Sequence, residues 1–268
     1  MTESKNYFKE IDFSRYTSIK IGPKAQVLVI NEINTYDEYK IFGLGNNALI
    51  SPTHPKFAIL GENFAYIKEK DNLLYVGCAT KSAKLLNYAK NNNIKNMEFL
   101  GKLPGNMGGL VKMNAGLKEW EIFNYIHSIK TQSGYIKKED ITYSYRHTNI
   151  DEIIYEVVFN IETGFSKEQA ELFKNMRDNQ PQTPSAGSCF KNPKNDSAGR
   201  LIEAVGLKGF EYGGMSFSIK HANFLVNNNN GTYEEARYLI NLAKEKVKKS
   251  FNITLEEEII TYNYSTKR

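Results

Sequence analysis

The chain holds only two cysteines, Cys78 and Cys189, far apart and in no C-x-x-C pair. Neither a dithiol redox centre nor a zinc ribbon is therefore written into it. Its four histidines (His54, His127, His147 and His221) are scattered, and no H-E-x-x-H occurs, so no metal is expected. No apolar run approaches the ~18 residues needed to span a bilayer, and no membrane partner is expected. The segment up to Phe13 mixes Lys, Glu and Asp without the apolar core of a signal peptide, which makes the cytoplasm the expected compartment. The net charge of +5 is small and dispersed. It suits an anionic ligand, but nucleic acid would need clustered basic residues with interleaved aromatics, and none is expected as a partner. The basic run from Lys244 to Lys249 reads as the solvated face of a helix near its C-terminus. Internal repeats and low-complexity tracts are lacking too.

What is present is an ordinary globular composition, 41% hydrophobic and 24% charged over 268 residues, enough for two domains with cores of their own. Gln26 to Ile30 reads as a strand. Ser82 to Asn92 carries Ala83, Leu86 and Ala89 at helical spacing, with Leu85 adjacent. Tyr125 to Thr131 and Tyr135 to Lys138 flank Gln-Ser-Gly as a hairpin, and Ile153 to Ile161 reads as a strand. At Thr163-Gly164 the pattern changes. Ser166 opens a helix with Ala170, Phe173 and Met176 that must stop near Pro181. A second helix starts near Asp196 or Ser197 and ends at Val205, before Gly206. Ala222 to Asn227 is expected as a buried strand, and Leu255 to Tyr262 as the last strand. Thr232-Tyr-Glu-Glu235 is a capping box opening a helix whose apolar face is Ala236, Leu239, Ile240, Ala243 and Val247. Strand and helix do not alternate regularly, so the expected fold class is α+β rather than doubly wound.

Two segments concentrate glycine beside small polar residues. One is Gly43-Leu-Gly-Asn-Asn-Ala-Leu-Ile-Ser51. The other is Gly101-Lys-Leu-Pro-Gly-Asn-Met-Gly-Gly109, continuing to Met113-Asn-Ala-Gly116. Glycine permits positive φ and close approach of a ligand to the main chain, and successive N–H groups can then cradle an anion such as a pyrophosphate. No G-K-[ST] follows, and Gly105-Asn-Met-Gly-Gly does not match G-x-G-x-x-G, so neither segment is a P-loop or a dinucleotide fingerprint. Either one alone could be an ordinary cluster of turns.

The first segment resembles the diphosphate loop of the vanillyl-alcohol-oxidase (PCMH) type of FAD-binding domain. The second, from Leu103 to Gly116, is longer and more specific, and resembles the reductases of peptidoglycan precursor synthesis, the UDP-N-acetylenolpyruvoylglucosamine reductase family. Further motifs agree in order: Tyr145-Arg146, Pro184-Ser-Ala-Gly-Ser-Cys-Phe-Lys-Asn-Pro193, Ala198-Gly-Arg-Leu-Ile-Glu203, Gly206-Leu-Lys-Gly209, Ser218-Ile-Lys-His-Ala-Asn-Phe-Leu-Val-Asn227 and Leu255-Glu-Glu-Glu-Ile259. Together they span nearly the whole chain.

The resemblance implies that FAD is held by Gly43, Gly45, Asn46, Asn47, Leu49, Leu103, Pro104, Gly105, Gly108, Gly109, Asn114, Ala115 and Gly116. Asn46 stands where serine is commoner, and either residue can donate to phosphate. NADPH is implied as the co-substrate that reduces FAD, and an enolpyruvyl UDP-sugar as the acceptor of hydride from flavin N5. Hydride addition beside a carbon bearing a carboxylate leaves an enolate-like dianion that must be stabilised and protonated. The family's catalytic positions fall on Arg146, Ser188 and Glu258. Arg146 would hold the carboxylate by charge-assisted bonds that strengthen as charge builds. Ser188 would deliver the proton, which a serine can do because the enolate is a strong base. Glu258 would orient and polarise the carboxylate, either protonated or through a water.

Each residue also has a plainer reading: Arg146 as a surface ion pair, Ser188 as a turn residue, Glu256 to Glu258 as a solvated edge. Glu257 replaces the proline of the family's Leu-Glu-Pro-Glu, and Glu256 competes with Glu258 for the role. Lys191 and Asn192 are implied as substrate contacts. Asn179 occupies a position that is basic in many relatives, with Arg177 a substitute. Lys220 and His221 could meet phosphate, or His221 could be a core histidine. Cys189 read as a nucleophile with His221 is disfavoured, since relatives carry varied apolar residues there. Tyr75, Tyr145 and Trp120 are expected to pack rather than stack on a flavin. The chain has no long insert between Gly164 and Pro181 to act as a lid, as in a compact subtype. The expected organisation is an FAD-binding region at 1–164, a substrate-binding domain at 165–254 and a returning C-terminal segment at 255–268, in a monomer. An FAD-linked oxidase sharing the first domain, and a non-catalytic flavin- or UDP-sugar-binding module, are the competing functions.

Overall fold

The computed structural model describes residues 5–176 and 180–264. The chain divides into two compact units, both discontinuous in sequence. The first comprises Met1–Lys9, Val27–Leu44 and Lys56–Asp178, and the second Glu10–Gln26, Gly45–Pro55 and Asn179–Arg268.

In the first unit, strand Phe57–Leu60 runs parallel to Lys24–Ile30 on one side and to Lys40–Ile41 on the other. The run Val27-Leu-Val-Ile30 is apolar and buried throughout, as expected of a parallel strand covered on both faces. A second sheet is antiparallel, with Glu156–Asn160 at its centre between Leu73–Gly77 and Ile126–Thr131. The expected hairpin is present as Ile126–Thr131 paired with Gly134–Lys137, and Gly134 takes φ +115° at the turn. Glu156 is buried on this sheet, and its carboxylate accepts the hydroxyls of Tyr66 at 2.6 Å and Tyr135 at 2.7 Å, which offsets its desolvation. Helix Ser82–Asn91 buries Leu85 and Ala89 in the same core.

Helix Lys167–Asn175 forms where Ser166 caps it, accepting from the Gln169 N–H. It does not open a second domain. Its buried Phe173 meets Trp120 edge-on at 5.0 Å and Phe99 at 6.5 Å, and the buried Glu98 carboxylate accepts the Ser166 N–H at 2.8 Å. This helix completes the first unit's core, so the chain stays in that unit well past the expected boundary at Gly164. A change of local pattern marks a new element, but only packing assigns it to a domain.

The second unit is built on an antiparallel sheet in the order Ser185–Ser188, Phe224–Asn227, Met215–Phe217, Glu211–Tyr212. Helix Ala198–Ala204, capped by Ser197, and helix Tyr233–Phe251 pack with it. The Thr232–Glu235 capping box is complete, and Ala236, Leu239, Ile240, Ala243 and Val247 are all buried. Two short excursions of the N-terminal half complete this core with Ile19, Ile21 and Leu49. The last strand is shorter than expected. Only Ile260–Tyr262 is a strand, parallel to Ala48–Ile50, and residues before it make a single bridge, Phe190 to Glu257. The segment changes partners on the way, so no continuous ladder forms. Among the described residues, no helix is long and apolar enough to cross a membrane.

Candidate active site

Within the first unit, the second glycine-rich segment ends beside Arg146. Tyr145 and Arg146 form the two-residue turn of a small hairpin, Tyr143–Ser144 with His147–Thr148. Arg146 sits at φ +57°, a left-handed conformation that costs a non-glycine residue roughly 1–2 kcal/mol. Such strain tends to persist where a side chain is required at that point. The guanidinium donates from Nη2 to the Gly116 carbonyl at 3.3 Å and lies over the Tyr145 ring at 5.0 Å. Tyr145 is thus a half-exposed platform for Arg146 and not the packing residue expected, whereas Trp120 does pack, against Phe173.

The segment itself is held from inside. Asn106 caps helix Met107–Lys112 by accepting from Gly109 N–H at 3.1 Å. A Cβ at Gly43 would stand 3.1 Å from the same Asn106 oxygen, so the two glycine-rich segments meet here. At Gly116 a Cβ would fall 2.3 Å from the Trp120 carbonyl oxygen, which only glycine avoids. Asn114 is fully buried. Its amide donates to the Glu121 carboxylate at 2.8 Å and to the Ser144 carbonyl at 3.1 Å, and its oxygen accepts from Phe123 N–H at 3.3 Å. Its side chain braces the loop below Arg146. Leu103 is buried and Pro104 exposed.

Within the second unit, Ser188 ends the strand Ser185–Ser188, half-buried, after Gly187 at φ +79°. The chain beyond it is fixed by Asn223. The Asn223 carbonyl accepts Cys189 N–H at 2.7 Å. Its side chain accepts Phe190 N–H at 3.0 Å and donates to the Phe190 carbonyl at 2.8 Å. Asn223 is buried, and sequence reading gave it no role. The signal was its place inside Ala222–Asn227, a polar residue near the start of a stretch reading as a buried strand. Opposite lies the C-terminal segment: Glu258 N–H donates to the Cys189 carbonyl at 2.9 Å, and Lys191 N–H to the Glu256 carbonyl at 2.9 Å. Asn47 of the first glycine-rich segment donates to the Glu258 carbonyl at 2.8 Å and accepts Ile260 N–H at 3.0 Å. Its neighbour Asn46 accepts the Ser18 hydroxyl at 2.5 Å, and Gly45 turns at φ +69°. Leu49 is core.

The three glutamates separate. Glu256 is exposed and pairs with Lys191 at 2.5 Å, Glu257 is bound by Arg237 and Lys244, and Glu258 is half-buried with both backbone polar groups engaged. Lys191 therefore meets Glu256 here, and the exposed Asn192 accepts Ala198 N–H at 3.0 Å, at the entry of the next helix. Arg177 and Asn179 lie outside the described residues. Cys189 is buried, and burial pushes its thiol far up, so it stays protonated and is a poor nucleophile. Burial lowers the His221 imidazole, whose Nδ1 accepts Asn223 N–H at 3.2 Å. It acts as a partly buried brace for Asn223.

Comparison with known proteins now bears on the whole chain. Residues 179–262 match the family model described as UDP-N-acetylenolpyruvoylglucosamine reductase, C-terminal domain, and the match begins where the second unit resumes. The chain is 47% identical over 255 residues to the UDP-N-acetylenolpyruvoylglucosamine reductase of Campylobacter jejuni, covering 93% of this chain and 98% of that one. It is 44% identical over 250 residues to the enzyme of that name from Helicobacter pylori, covering 93% and 96%. Its fold matches the crystal structure of UDP-N-acetylenolpyruvylglucosamine reductase from Thermus caldophilus with a TM-score of 0.84 at 25% identity, over 96% of this chain and 99% of that one. With identity this high along nearly the full length of both proteins, the chain belongs to the UDP-N-acetylenolpyruvoylglucosamine reductase family.

Proposed function

We propose that the chain reduces UDP-N-acetylglucosamine enolpyruvate to UDP-N-acetylmuramate in cytoplasmic peptidoglycan precursor synthesis, using FAD and NADPH. The chain would combine an FAD-binding region of the vanillyl-alcohol-oxidase type with a smaller α+β substrate-binding domain that follows it in sequence. The observation that carries this reading is the pairing of residues 189–191 with 256–258, which lays Glu258 beside the turn that follows Ser188.

FAD fits the chemistry of the segments assigned to it. Neither 43–51 nor 103–116 contains an acidic residue that would repel a diphosphate. Gly45, at φ +69°, and Gly105, at φ +157°, hold conformations suited to such a loop. Asn46 would present its amide to the diphosphate. Ala115 and Gly116 would contribute main chain, as would Asn114, whose side-chain N–H groups are both spent inside. FAD, when bound, supplies the hydride that NADPH provides.

The chain's own residues do the rest. Arg146 binds the substrate carboxylate, and its bonds tighten as negative charge develops. Ser188 holds a proton at Oγ and delivers it to the α-carbon once hydride has added. Glu258 orients and polarises the same carboxylate. Lys191, Asn192 and Arg177 would contact the UDP moiety.

The test separates the two halves of the reaction. Ser188→Ala protein loaded with FAD should still be bleached by NADPH without oxygen. Reoxidation by the enolpyruvyl substrate should slow by about 10²–10⁴-fold, the usual contribution of a positioned proton donor. Normal reoxidation would remove Ser188 from the proposed role. Wild-type flavin restored by oxygen alone would favour an oxidase.

A further inference from the structure

The segment carrying Glu258 has a problem of register. Before it joins Ala48–Ile50 as a parallel strand at Ile260, it meets the residues after Ser188 through one bridge, and register is weakly specified where few ladder bonds define it. It also carries three chemically identical side chains, Glu256, Glu257 and Glu258, in succession. A slip by one residue would turn each side chain to the opposite face and present Glu257 where Glu258 belongs. The backbone bonds to residues 189–191 could re-form, because any of these residues offers the same N–H and C=O, and what opposes the slip is side-chain placement: the buried Leu255 and Ile259, and Glu257 between them on the same face.

Helix Tyr233–Phe251 removes the degeneracy. Arg237 gives Nη1 to Glu257 Oε2 at 2.6 Å and Nη2 to Oε1 at 3.2 Å, and Lys244 Nζ reaches Oε1 at 2.7 Å. Arg237 and Lys244 stand about two helical turns apart and so share a face. The Arg237 Nη1 also donates to Thr261 Oγ1 at 3.1 Å, so one guanidinium holds the segment on both sides of Glu258. The Glu257 and Arg237 side chains are largely withdrawn from water, at 18% and 25% exposure, with the more exposed Lys244 at the rim. Burial alone would raise the Glu257 carboxyl, but the bonds from Arg237 and Lys244 outweigh it and hold the group below the usual carboxylate range.

We propose that Arg237 and Lys244 capture Glu257 as a register lock, so that Glu258 and neither neighbour is presented beside Ser188. Arg237, Lys244 and Glu257 are then positioning residues, and the proposal rests on the reading of Glu258 as a site residue. Proline at 257 would serve the same end by other means. The ladder bonds flank position 257, using Lys191 N–H to the Glu256 carbonyl and Glu258 N–H to the Cys189 carbonyl. A slip would bring proline, which has no N–H, to the place where a donor to Cys189 is required.

The experiment compares FAD-loaded wild type, Glu257→Gln and Glu257→Pro by residue-resolved amide hydrogen exchange. It also follows anaerobic reoxidation of the dithionite-reduced flavin by UDP-N-acetylglucosamine enolpyruvate. In Glu257→Gln the amides of Glu258 and Ile259 should exchange about 10-fold faster or more, while helix Tyr233–Phe251 keeps its protection. Maximal reoxidation should fall about 10–100-fold with the substrate concentration for half-maximal rate little changed, since presentation and not binding is lost. Glu257→Pro should recover both readouts. Wild-type exchange at Glu258 and Ile259 in Glu257→Gln would overturn the proposal. So would faster exchange spread over the whole helix, which marks a merely structural role, or a proline variant as impaired as the glutamine one. Wild-type protein that the substrate does not reoxidise would overturn the proposed function instead, and the exchange rates would still decide the lock.

Discussion

Asn223 offers a prediction whose size can be worked from its contacts. Its side chain satisfies both the N–H and the C=O of Phe190, a residue with no exposed surface, and Asn223 itself is 3% exposed. Asn223→Ala strands both groups out of reach of water. A buried polar group left without a partner costs about 1–3 kcal/mol, so the variant should lose about 2–6 kcal/mol. Calorimetry of the purified protein should show the transition of the second unit lowered by about 4–24 °C, at roughly 2–4 °C per kcal/mol for a chain of this size. Asn223→Asp makes a sharper test. It keeps the acceptor for Phe190 N–H but turns a second oxygen toward the Phe190 carbonyl. The buried carboxyl is then more stable protonated, so its folded pKa rises above the ordinary value of about 3.9. Within that window the folded state binds more protons than the unfolded, and stability falls as pH rises. The variant should be closer to wild type at about pH 5 than at about pH 7. A transition within about 2 °C of wild type for Asn223→Ala would refute the view that this side chain holds the turn after Ser188.

Arg146 should reveal its strain through a pair of variants. At φ +57° glycine is relaxed and alanine is not, so Arg146→Gly should be more stable than Arg146→Ala by about 1 kcal/mol in urea titrations, while neither is reoxidised by substrate at a useful rate. Equal stabilities would mean the turn relaxes in both. His221 should make stability depend on mildly acidic pH. Burial lowers its folded pKa, so as pH falls below about 6.5 the unfolded chain takes up a proton that the folded one refuses, and stability drops. His221→Gln should flatten that slope in melting curves taken across the window, and an unchanged slope would assign it to other groups.

Local chemistry was legible without coordinates. The capping box at Thr232–Glu235, the helix opened by Ser166 and the hairpin turned at Gly134 each depend on residues a few positions apart, and all formed as expected, while of Asp196 and Ser197 it is Ser197 that caps the next helix. The apolar run Val27 to Ile30 announced its strand in the same way. The candidate site was legible only as motifs in order, because a motif names residue types and not their neighbours. Motif register favoured Glu258 and left Glu256 as its competitor, since what separates the two is which partner each one meets: Lys191 for the first, Cys189 and Asn47 for the second.

The sequence by itself determined the capped helices and the hairpin, the glycine positions that main-chain geometry demands, and the types of residue available for catalysis, all of which follow from short-range sterics and hydrogen bonding. Tertiary structure alone decided that helix Lys167–Asn175 closes the first unit's core, that Ile19, Ile21 and Leu49 complete the second, and that Asn223 and Asn47 grip the two strands of chain carrying Ser188 and Glu258. Those outcomes depend on contacts between residues as much as 211 positions apart, as with the Asn47 to Glu258 bond. Such contacts form only when burial of apolar surface repays the entropy of closing so long a loop, a balance that no local pattern records.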